Sequence, residues 1–106
     1  MDNVICCIAN ALGNIGLIHR VKGESDEALQ YHKEALEIDR KIKNRQRESN
    51  QLGNIGLVYR IKGQLDEALQ YHRDALEIDR RTGNKLGEAN QLGNIGMKIK
   101  PRSFFQ

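Results

Sequence analysis

Six asparagines carry the chemistry most worth following in this sequence. Asn10, Asn50 and Asn90 recur at one position, and Asn14, Asn54 and Asn94 recur four residues later. On a helix, residues four apart lie about 40° apart around the axis, so each pair shares one face. An amide side chain both donates and accepts, and a row of amides can grip the backbone of an extended peptide without demanding a sequence. Arg20 and Arg60, further along the same segments, offer a planar fork for a carboxylate or phosphate. These eight residues are the candidate peptide-binding set. The competing use of the asparagines is internal, as hydrogen bonds between neighbouring helices that fix a stack. Leu57 and Ile61 fall on the same side, which is therefore not purely polar.

Other reactive side chains form no constellation. His19 and His32 could approach each other within one unit, but Tyr59 replaces His19 forty residues later, so no ligand set repeats. A packed imidazole with one hydrogen-bonded nitrogen is the preferred reading, and neither metal nor cofactor is expected. Carboxylates sit beside Lys and Arg on helix exteriors, and Gly13-x-x-Gly16 lies inside a helical pattern, not in a phosphate-cradling loop. The chain is not expected to be an enzyme. Arg40, Lys41, Lys43, Arg45 and Arg47 cluster without interleaved aromatics, so a solvated helix end is expected there, and nucleic acid is not an expected partner.

The chain has 106 residues, a formal charge of +3, 29% charged residues and no Trp. A core must come from Leu, Ile, Ala and Gly, which suits close helix packing. No run approaches the roughly 18 consecutive apolar residues of a membrane span, so no membrane role is expected. Adjacent Cys6 and Cys7 are poorly placed to form a disulfide with each other and read as reduced thiols, which points to the cytoplasm.

These side chains are positioned by a repeat. Leu12-Gly13-Asn14-Ile15-Gly16-Leu17 returns at Leu52–Leu57 and again at Leu92–Met97. Residues 12–51 and 52–91 agree at about 26 of 40 positions, which implies stacked supersecondary units. Each period contains two helical patterns. Leu52, Ile55, Gly56 and Tyr59 form the stripe of the first. Leu65, Ala68, Leu69, His72, Ala75, Leu76 and Asp79 form that of the second, with Asp66, Glu67, Gln70, Arg73, Glu77 and Arg80 on its solvated side. Gly63 supplies the left-handed residue that ends the first helix. Helices are thus expected over 4–21, 25–42, 45–61, 65–81 and 85–99, with Pro101 stopping the last. The repeats span about 5–44 and 45–84, a half repeat covers 85–100, and 101–106 is a tail on a single domain of residues 1–100.

Leu52, Ile55, Gly56, Tyr59, Gly63, Ala68, His72 and Ala75 resemble the signature of the tetratricopeptide repeat. The 40-residue period, longer than the usual 34, is similar to the long repeats of kinesin light chains and spindle-orientation adaptors. His32 and His72 stand where that family usually has Tyr or Phe. The resemblance implies an all-α, right-handed solenoid of antiparallel helix pairs, here two repeats plus one extra helix. It sets Gly56 against Ala68, and Gly16 against Ala28, at a close helix crossing. It further implies that first helices line a concave groove, making the chain a protein–protein interaction module for a peptide or helix. The alternatives are a fragment of a larger scaffold, or a self-associating unit, because terminal helices carrying Val4, Ile5, Ile8, Leu92 and Ile95 lack covering neighbours.

Overall fold

The computed structural model describes residues 2–96, with side chains described from Val4 onward. Five helices follow in order: α1 Asp2–Val21, α2 Ser25–Lys41, α3 Arg45–Ile61, α4 Leu65–Thr82 and α5 Lys85–Gly96. These agree with the expected segments to within two residues at every described end. The expected continuation of α5 to residue 99, the stop at Pro101 and the tail lie outside the described residues.

The helix ends follow local rules. Gly23 and Gly63 take φ of +83° and +81° just beyond α1 and α3, where a left-handed residue lets the chain reverse. After α4 the same geometry falls to Gly83, but after α2 it falls to Lys43 at φ +59°, a conformation that strains a residue with a Cβ. Asn44 and Asn84 cap α3 and α5, their side-chain oxygens accepting from Arg47 N at 3.2 Å and Gly87 N at 2.9 Å.

Each helix packs on the next in sequence, while α3 also touches α1 on one side and α5 on the other, along one layer. This is a TPR-like all-α helical repeat, an elongated body of 51 × 32 × 18 Å. The core lies at the α2–α3–α4 junction, where Ala28, Leu29, Leu36, Leu52, Ile55, Val58 and Ala75 meet. Tyr59 stacks on Tyr71 with ring centres 5.4 Å apart, and His19 stacks on Tyr31 in the same way one repeat earlier. Asp79, placed by its spacing on the apolar stripe of α4, is indeed buried.

Two expectations need correction. Gly56 does not primarily receive Ala68: a Cβ there would first meet the His72 ring, 2.7 Å from Nε2, and Gly16 faces His32 at 2.8 Å in the same manner. The imidazole is the group whose size demands glycine. Secondly, the absence of an unbroken apolar run understated α1. Val4–Val21 has a mean hydropathy of 1.5 and is long and apolar enough, by length and composition, to cross a membrane. Asn10, Asn14 and His19 interrupt the run, yet Arg20 is the one formally charged residue in it. The same helix packs against α2 as a repeat element.

Candidate functional site

The first helices build a groove. Their core stripe turns towards α2 and α4, which leaves the faces bearing the asparagines side by side on the opposite surface. All six asparagines line one concavity of about 450 Å³, together with Gln51, Gln91, Arg47, Leu17 and Leu57. The volume falls in the range of ordinary ligand clefts. Asn10 alone among the six has a hydrogen bond to another side chain, accepting from Arg47 Nη1 at 3.2 Å. Among the described residues, the amides of Asn14, Asn50, Asn54, Asn90 and Asn94 have no such partner and are at least partly open to solvent. Arg20 and Arg60 are not among the groove-lining residues. Both are half-buried, and their guanidinium groups act electrostatically on His32 and His72 respectively.

Behind the groove lies a clasp that recurs in each repeat. His32 of α2 donates from Nδ1 to Gln51 Oε1 of α3 at 3.0 Å, and His72 of α4 meets Gln91 of α5 at the same distance. With the amide oxygen as acceptor, Nδ1 carries the proton and Nε2 is left as a bare lone pair. Each Nε2 is buried with no hydrogen-bond partner. Two glycines make room. A Cβ on Gly16 would strike the His32 ring, and one on Gly13 would come within 2.9 Å of Gln51 Nε2; Gly56 and Gly53 do the same for His72 and Gln91. The Gly-x-x-Gly spacing thus seats one buried His–Gln pair that joins three helices.

Burial holds the His32 and His72 imidazoles below their ordinary range, the Gln hydrogen bonds opposing and the nearby arginines adding to the effect. The unfolded imidazoles therefore bind protons more readily than the folded ones. Stability is full above the unfolded value of about 6.5 and is lost as pH falls through the lower folded values. Thermal melts followed by circular dichroism should show the midpoint dropping between pH 7.5 and 5.5. A His72→Gln variant should show a flatter dependence; an equal slope in that variant would assign the loss to other groups.

Two buried aspartates complete the framework. Asp39 receives Arg47 Nε at 3.3 Å, so Arg47 ties the groove floor at Asn10 to a carboxylate in the interior. Asp79 instead accepts from the Ser49 hydroxyl at 2.6 Å. The partners are exchanged between repeats: Ala9 stands at the position of Ser49, and Gly87 at that of Arg47. Of the rest of the basic cluster, Arg40 and Arg45 both meet Glu48 and Lys41 meets Glu37.

Sequence reasoning did not single out Gln51, Gln91, Ser49 or the role of Arg47. A signal for the glutamines was present, since each stands 19 residues after a repeat histidine, and the first copy has Ala11 at that place. The histidines themselves engage separate partners. His19 donates to Glu24 at 2.6 Å while His32 bonds Gln51, and no cluster of three metal-ligating side chains exists among the described residues.

A comparison with curated proteins returned no match. The family profile described as "Tetratricopeptide repeat" matches residues 7–81 and 47–97, two overlapping segments that reach into every helix. With that coverage added to the paired helices and their 40-residue period, the chain belongs to the tetratricopeptide-repeat family, whose members generally mediate protein–protein interaction.

Proposed function

We propose that the groove along α1, α3 and α5 binds an extended peptide segment of another protein, holding it by its backbone and without turnover. The observation that carries this reading is that all six asparagines line one concavity and five have no hydrogen-bond partner among the described residues. Amides engaged in fixing the stack would be expected to pair with each other or with neighbouring helices. An extended peptide presents alternating N–H and C=O groups, which such a row satisfies from either side. Arg47 is the one ionised side chain lining the groove among the described residues, and Asp39 already engages it. Backbone contacts, with Leu17 and Leu57 available to apolar side chains, therefore outweigh charge. Cys6 and Cys7 are free thiols, which fits a reducing compartment such as the cytoplasm.

The test is selection of binders from a random peptide library on the intact chain, followed by titration against Asn50→Ala and Asn54→Ala. Each variant is expected to weaken binding about 10-fold, the loss of one two-point amide contact. Their stability should stay within about 0.5 kcal/mol of the parent, as for other exposed substitutions. Unchanged affinity with a lowered melting temperature would show that the ladder only fixes the stack.

A further inference from the structure

We infer that the outer face of α1 is a self-complementary interface through which two copies of this chain pair about a two-fold axis. The face is defined by comparison with α3. The row of α3 that meets α2 runs from the N-cap Asn44 through Glu48, Gln51, Ile55 and Val58, and Glu48 and Gln51 have named side-chain partners there. Glu48 pairs with Arg40 and Gln51 with His32. Forty residues earlier the same row on α1 reads Val4, Ile8, Ala11, Ile15 and Ile18. Burial changes accordingly. Ile15 and Ile18 are 37% and 59% exposed where Ile55 and Val58 are fully buried, and Ile8 is 48% exposed where Glu48 is 6%.

What covers this row follows from its chemistry. A second helix like α2 or α4, as in a preceding repeat of this type, would bring an Arg and a His. On α1 those groups would find Ile8 and Ala11 in place of Glu48 and Gln51: the imidazole would be buried without its acceptor, and the guanidinium would lose its carboxylate. A covering second helix of this type is thus disfavoured by the same substitutions that make the row apolar. The spacing 4, 8, 11, 15, 18 alternates by four and three, the seam of a two-helix coiled coil. The row contains no charge, so a copy laid against itself meets no like-charge repulsion. Antiparallel pairing also opposes the helix dipoles and brings the Asp2 end of one helix to the Lys22 end of the other. Ala11, exposed at the middle of the row, allows the two helices to approach closely.

Sedimentation of the intact chain from micromolar to submillimolar concentration should give twice the 12.1 kDa chain mass. Ile8→Glu with Ile15→Glu, and separately Ile8→Lys with Ile15→Lys, should each weaken the dimer on the order of 100-fold or more, because a two-fold axis counts every substitution twice. Circular dichroism should be unchanged, since both sites are exposed. Mixing the acidic and basic variants should restore a one-to-one dimer that salt weakens, an outcome available only if the row meets itself. Should the double variants lose helicity, Ile18→Glu alone carries the same expectation. Leu92→Glu at the opposite end should leave the dimer intact. A monomer at every concentration overturns the inference. So does a dimer lost in Leu92→Glu and kept in the α1 variants, or a monomer that binds phosphatidylcholine vesicles through α1.

Discussion

Arg47→Met is expected to destabilise the chain by about 3 kcal/mol at pH 7.5, the cost of stranding a buried carboxylate. Asp39 is wholly buried, and its Oδ2 already lacks a partner. Burial pushes the Asp39 carboxyl above its ordinary range, with Arg47 the main opposing influence. The sign of the pH dependence follows. With the folded value above the unfolded one, stability is full below the unfolded value and is lost as pH rises through the folded value. Without Arg47 the folded value rises further, so the penalty is largest near neutrality and shrinks towards pH 5 as Asp39 takes up a proton. The buried histidines titrate in parent and variant alike and largely cancel in the difference. Adding Asp39→Asn to Arg47→Met should recover much of the loss, because removing both partners costs less than removing one. Urea unfolding at the two pH values measures this directly. A penalty below about 1 kcal/mol and independent of pH would mean that Asp39 is not held by Arg47.

The second large effect is expected at Gly56. Glycine inside a helix costs about 1 kcal/mol relative to alanine, so Gly56→Ala would stabilise an isolated helix. Here the added Cβ would lie 2.7 Å from Nε2 of His72. The ring cannot readily withdraw, being 2% exposed and hydrogen-bonded to Gln91. Overpacking of this kind outweighs the helix-propensity gain, and a net loss of about 2 kcal/mol is expected. That corresponds to a fall of roughly 8–16 °C in Tm for a domain of this size. Gly93 is the control. It occupies the same repeat position as Gly53, but nothing lies within 4 Å of its would-be Cβ, since no further helix reaches it among the described residues. Gly93→Ala should be neutral or stabilising by about 0.5 kcal/mol. Opposite signs at Gly56 and Gly93 would separate contact across helices from local helix propensity. A stabilised Gly56→Ala would mean that His72 moves aside at little cost.

The sequence alone was enough for whatever depends on order along the chain. The 40-residue period, the five helices and their described ends, the buried stripe through Ala68, His72, Ala75 and Asp79, and the shared face of the six asparagines all follow from helical periodicity and turn residues. Each is a relation among residues a few positions apart, or a repetition of one. Tertiary structure decided which groups meet across helices. The His32–Gln51 and His72–Gln91 clasps join residues 19 apart, Ser49 reaches Asp79 across 30, and Arg47 reaches Asn10 across 37. Such pairs depend on the angle and distance at which two helices cross, which periodicity within either one does not encode. The Gly56 contact shows the difference most clearly: its close approach was legible in the sequence, but the group approached was not. It is also why the departure of α1 from the repeat gained meaning only in three dimensions. Ile8 and Ala11 look like ordinary substitutions along the chain, and only the seating of Glu48 and Gln51 against α2 shows which contacts they give up.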